Sequence, residues 1–200
     1  MQTIISAIIV FIATSIDYLI ILTMILAKLT RKADRRQVYI GEYAGTAWLV
    51  LISLYFAYIL NMVPEEWMVG TLGLIPLFLG VRAIFKDDDE ADEAMEKFEA
   101  RGNKSLFWTV TLVTIASGGD NVGIYIPYFA SLDWGQILVA IAVFVIGVAA
   151  LCYIAYRFSR LPFIAETIEK YEKIIIPVVF IGLAFYIMWE NGTIQHFLGI

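Results

Sequence analysis

Apolar residues run through this chain in six long stretches, approximately 3–27, 38–60, 67–85, 106–130, 134–156 and 174–189, each bounded by charged or turn-forming residues. A helix rises about 1.5 Å per residue and the hydrocarbon core of a bilayer is about 30 Å thick, so a crossing takes roughly 20 apolar residues. Each stretch therefore predicts a membrane-spanning helix. The first has no basic start and no small-residue cleavage pattern, and it is too long for a signal-peptide core, so it is expected to remain as a helix.

Composition agrees with a lipid solvent. Hydrophobic residues make up 60% of the 200 and charged ones 16%, with a mean hydropathy of +0.79, against roughly 25% charged in soluble domains. A water-soluble globule is excluded, because its surface would have to be largely solvated. The net charge of −5 excludes nucleic acid as a partner, since phosphate binding needs clustered positive charge. A single cysteine, Cys152, excludes an intrachain disulfide or a dithiol redox site.

The charges also orient the spans. All 14 lysines and arginines fall after span one, around the link between spans three and four, or between spans five and six. Basic connections mark the cytoplasmic side, so both termini are expected outside, with Trp67, Trp134 and Trp189 as interfacial anchors. Sliding the chain on itself by 103 residues aligns Ile12, Ala13, Thr14 and Asp17 with Ile115, Ala116, Ser117 and Asp120. Each copy opens a unit of three spans, and an odd number makes the second unit enter the membrane from the opposite side. The expected fold is an all-α membrane protein of six transmembrane helices in two inverted three-helix repeats, residues 1–85 and 106–200, joined by an acidic linker over 86–105. Chance similarity between apolar helices is the alternative.

Candidate chemistry sits inside the spans. Asp17 and Asp120 lie in the middle of spans one and four, where a carboxylate costs at least about 2.5 kcal/mol. Neither helix has a lysine or arginine at that depth, which leaves protonation or a bound cation as compensation. Two carboxylates match the charge of one divalent ion. Thr14 and Ser117, three residues before the aspartates on the same helix face, and the amide of Asn121 extend an oxygen-rich metal-ligand set. Gly118, Gly119, Gly123 and Pro127 predict a broken helix whose unwound segment 117–123 walls the site; close helix packing is the other reading. Glu42 is expected as a third acidic metal ligand or a gate, or else as an interfacial carboxylate reaching the headgroups. Gly41 and Gly45 around it read as helix packing. Met24 and Cys152 read as packing residues, and His196 alone makes no metal site. The eight acids between Lys86 and Lys104 either gather cations at the cytoplasmic mouth or form a solvated loop.

The strings A-T-S-I-D (13–17), Y-I-G-E-Y-A-G (39–45), G-L-I-P-L-F-L-G (73–80) and G-G-D-N-V-G-I-Y-I-P-Y-F (118–129) resemble those of the cadmium resistance transporter family, within the lysine-exporter superfamily, and the resemblance extends from Met1 to Asn191. It implies a multi-pass bacterial inner-membrane protein that lowers cytoplasmic cadmium or a related divalent cation, and it carries Asp17, Asp120 and Asn121 over as site positions. The function expected is secondary transport by alternating access, the two halves rocking around an ion held by Asp17 and Asp120. The divalent cation is then substrate and no cofactor is called for; the partners are that ion and the bilayer, with a homodimer left open. Two alternatives are a small amino-acid exporter, which would want a fixed charge for the substrate carboxylate, and a membrane scaffold or chaperone with structural aspartates. No enzyme is expected, since the chain has neither Gly-x-Ser-x-Gly nor HExxH.

Overall fold

A computed structural model of the chain describes residues 2–60, 66–85, 89–100, 105–160 and 164–198; within these, the side chains of Asp17, Glu66, Met68, 89–92, 164–173, Ile175 and Leu198 lie outside the description. Every element among the described residues is helical: α1 (Gln2–Ala27), α2 (Lys32–Leu60), α3 (Glu66–Gly70), a 3₁₀ turn (Thr71–Gly73), α4 (Leu74–Ile84), α5 (Asp89–Ala100), α6 (Leu106–Ser117), α7 (Gly119–Ala130), α8 (Trp134–Phe158), α9 (Ile164–Glu190) and α10 (Thr193–Leu198). The predicted apolar stretches fall on α1, on α2, on α3 with the 3₁₀ turn and α4, on α6 with α7, on α8, and on the second part of α9. By length and composition α2 and α8 cross a membrane alone, and α1 is a third when its halves, Gln2–Ile16 and Tyr18–Ala27, inclined at 53°, count as one span. The remaining apolar helices are shorter, namely Thr71–Ile84, Leu106–Ser117 and Ile176–Glu190.

Local sequence sets several boundaries. Asp133 caps α8: its Oδ1 accepts from Gln136 N at 2.8 Å, and Gln136 Oε1 accepts from Asp133 N at 3.0 Å. This reciprocal box satisfies two amides that the first helical turn leaves without partners. At the far end, α9 stops where Gly192 takes φ +67, a left-handed conformation that a Cβ would oppose.

The helices pack by interleaving. α1 lies along α8, α2 along α6 and α7, and α4 along α9, with α1 also against α9. Close approach rests on missing side chains. A Cβ on Gly41 would stand 2.7 Å from the carbonyl oxygen of Phe107, and one on Gly45 would stand 2.5 Å from Thr114 Cβ, so these two glycines set the α2–α6 separation. Gly147 on α8 likewise admits the ring of Phe11, which meets Phe144 at 5.4 Å; Phe144 also meets Tyr125 at 5.2 Å and Phe129 at 5.9 Å. The outside is apolar, with Leu51, Tyr55, Phe78, Leu138, Ile146 and Val178 exposed, while Thr14, Glu42, Thr109, Thr111, Thr114 and Asn121 are buried. That distribution suits a chain whose surroundings are lipid and whose polar groups must find partners within the protein.

Two expectations are corrected here. The acidic link is not simply a solvated loop: part of it folds as α5, with Ala94 and Met95 buried against α1 and α6. The segment 117–123 is not unwound as a whole. Only Gly118 interrupts the helix, with φ −91 and ψ 14, and α7 continues from Gly119 through Pro127. A proline deprives the helix of one amide donor, and the neighbouring turns hold it without a break.

Candidate metal site

Glycine at 118, where the helix is interrupted, has a steric reason. A Cβ there would run into the Tyr18 hydroxyl and Leu49, and the same hydroxyl donates to Thr114 O at 2.7 Å. Gly118 N donates to that carbonyl as well, at 2.9 Å. Because α7 starts immediately afterwards, Asp120 and Asn121 occupy its first turn. There the helix dipole favours a carboxylate. Asp120 is half-buried, and its Oδ1 accepts from Asn121 N at 3.0 Å.

Asn121 is buried, and its side-chain amide donates to Thr14 O at 3.0 Å. The Thr14 hydroxyl, also buried, donates back to Val10 O at 2.9 Å and lies 2.9 Å from Tyr125 Oη. A threonine has one hydroxyl proton, so with that proton on Val10 the tyrosine is the donor. α1 and α7 are thereby tied together at the level of Thr14. Asp17 lies one turn further along α1, between the two inclined halves; its side chain is outside the described residues. Ser117 is half-buried at the end of α6, and its side chain joins none of these hydrogen bonds.

Glu42 forms a second polar centre nearby. At 1% exposure it has no route to the headgroups, which removes the interfacial reading. Its Oε2 accepts from Thr114 Oγ1 at 2.7 Å and its Oε1 from Thr46 Oγ1 at 3.4 Å. Thr111 Oγ1 adds a bond to Gly41 O at 3.1 Å, on the same α2–α6 seam. Tyr18 and Thr114 connect the two centres, since Thr114 serves Glu42 with its hydroxyl and Tyr18 with its carbonyl.

The structure thus brings Thr14 and Asn121 together, places Asp120 beside Asn121, and sets Glu42 with threonines of α2 and α6. Among the described residues no three of His, Cys, Asp and Glu gather as a metal cluster, so the available donors are carboxylate, hydroxyl, amide and carbonyl oxygens. Tyr18, Thr46, Thr114 and Tyr125 are partners that the sequence reading did not select. A signal was present for one of them: Thr109, Thr111 and Thr114 recur within an otherwise apolar helix.

A model of the cadmium resistance transporter family matches residues 11–200. The chain belongs to this family. No curated protein and no solved structure matches it. As a cadmium resistance transporter it is a membrane transporter with a metal ion as substrate, and it is not an enzyme.

Proposed function

We propose that the chain exports a divalent cation, cadmium or a related ion, from the bacterial cytoplasm by secondary alternating access, binding it between Asp17 and Asp120. Six spans in two inverted repeats, 1–85 and 106–200, cross the inner membrane with both termini outside. The observation that carries this reading is that α1 is bent at Asp17 and span four is interrupted at Gly118, two residues before Asp120, so both copies of the repeated string fall at a helix break. Broken helices at mid-depth supply carbonyl ends and dipoles where an ion can be held. Asn121, Thr14 and Ser117 complete the oxygen set, with Glu42 as a further acidic group on α2.

The packing supports the repeat. Exchanging span one with four, two with five and three with six converts the α1–α8 contact into that between α6–α7 and α2, and leaves the α4–α9 contact in place. Because the partners come from opposite halves, the moving bodies are not the halves themselves. They are the mixed pairs α1–α8 and α2–α6–α7, related by the pseudo-twofold.

Asp17→Asn and Asp120→Asn are expected to abolish metal export while the protein still folds, since each removes half of the paired charge and almost no volume. Resistance of cells to cadmium, with expression checked in the membrane fraction, measures this. Protection equal to the parent in both variants overturns the assignment. Calorimetric titration with cadmium, zinc, manganese, calcium and magnesium then orders the ions by softness.

A further inference from the structure

We infer that α5 is a gate over the ion path, closed in this structure, which must leave its seat between α1 and α6 for an ion to enter from the end of the protein that carries the lysines and arginines. The inference rests on the alternating-access reading above and deepens it by naming the element that closes one side.

The acidic sequence of α5 hides an apolar edge. Ala94 and Met95 are buried and Phe98 is half-buried, while Glu93, Glu96, Lys97 and Glu99 face outward. Spacings of three and four residues place Ala94, Met95 and Phe98 on one side of a helix. That side packs on α1 and on α6, the basic-end segments of the two spans that carry the aspartates. A second attachment joins the Lys28 ammonium, just past the end of α1, to the Glu99 carboxylate.

The position matters because α1 and α6 belong to different packed bodies. α1 goes with α8, and α6 goes with α2. Towards the middle of the spans Tyr18 of α1 donates to Thr114 O of α6, Thr14 meets Asn121 and Tyr125 of α7, and Phe144 of α8 meets the rings of Tyr125 and Phe129. At the basic end α5 bridges α1 and α6 with apolar side chains. Any opening of that end separates α1 from α6, and α5 cannot keep both contacts when it does. Among its described side chains the hold is small: two buried side chains, one half-buried ring and an exposed ion pair, which solvent screens strongly. Elements with so little burial are the ones that open locally.

The test uses the full chain in inverted membrane vesicles, with Cys152→Ser as background. Lys28→Cys with Glu99→Cys, bridged by a short bifunctional methanethiosulfonate, locks α5 to α1. Uptake of cadmium is expected to fall about tenfold or more on bridging, in proportion to the lost open fraction, and to return when reductant cleaves the bridge. Uptake unchanged by bridging overturns the gate.

A second readout needs no cargo. Thr114→Cys places a thiol between α1, α2 and α6, and its alkylation by an impermeant maleimide reports opening towards the basic end. Met95→Asp, which puts a charge into the buried edge, and Lys28→Glu, which removes only the exposed pair and tests the gate even if the first variant folds poorly, are each expected to speed labelling. Rates equal to the parent in both overturn the inference. If the unbridged protein takes up no metal while these variants still speed labelling, the export reading fails and the gate stands.

Discussion

At the scale of single residues, the interior is organised by acceptors that would otherwise lack donors. Glu42 is the sharpest instance, since a buried carboxylate with no cationic partner among the described residues depends on the two threonine hydroxyls that reach it. Removing the closer one by Thr114→Val is expected to cost about 1–3 kcal/mol, the usual penalty for leaving a buried polar group short of a partner. Thermal melting of the purified protein measures it. Combined with Glu42→Gln, whose uncharged amide depends less on that hydroxyl, the two losses should fail to add, by about 0.5–3 kcal/mol in a double-mutant cycle. Strict additivity would mean that Thr114 acts on something other than Glu42. Sequence reading found Glu42, Thr14 and Asn121 because a polar atom in an apolar helix is conspicuous. It passed over Tyr125 and Tyr18 because a tyrosine in a span reads equally well as an interfacial ring, and only the fold turns those hydroxyls towards α1 and α6.

At the scale of elements, the apolar stretches locate the helices because lipid admits few other solutions for the backbone. What the pattern leaves out is where a helix breaks inside a stretch. Four helix-weakening residues lie between 118 and 127, yet only Gly118 interrupts the helix, and there the neighbouring Tyr18 hydroxyl occupies the place of a side chain. Gly119, whose Cβ would meet nothing within 4 Å, supplies the contrast: Gly119→Ala is expected to be tolerated, and Gly118→Ala to lower the melting temperature and the folded yield. Equal effects would show that backbone freedom, not the Tyr18 contact, selects glycine at 118. The helix α5 escaped the pattern for the opposite reason, since Ala94, Met95 and Phe98 among six acids carry too weak a periodicity to stand out from a solvated run. Capping is simpler to read. Asp133→Ala removes the side-chain acceptor for Gln136 N at the start of α8, while the backbone bond to Gln136 Oε1 remains possible, and is expected to cost about 1 kcal/mol, again by melting.

At the scale of the whole molecule, the proposed orientation rests on the basic residues, and a reporter fused after Ile200 is expected to read extracytoplasmic, like one placed before Met1. A cytoplasmic signal at either end would undo the inverted arrangement. The charge pattern and the 103-residue offset were legible in the chain; which span lies against which was not, because every span offers a similar apolar surface and selection among them rests on single glycines and rings. The interleaving that results bears on how the protein is made. α1 ends at Ala27, whereas α8, along which it packs, begins only at Trp134, so at translation rates of about 5–20 residues per second α1 waits roughly 5–20 s in the bilayer for its partner. During that interval the polar side chains of the early spans have no permanent neighbours, and the nascent chain is open to quality-control proteases or to whatever insertion factor shelters it. Segments 1–85 and 106–200 made as separate polypeptides are therefore each expected to be degraded when expressed alone and to be recovered together when co-expressed, a dependence that pulse-chase labelling would expose.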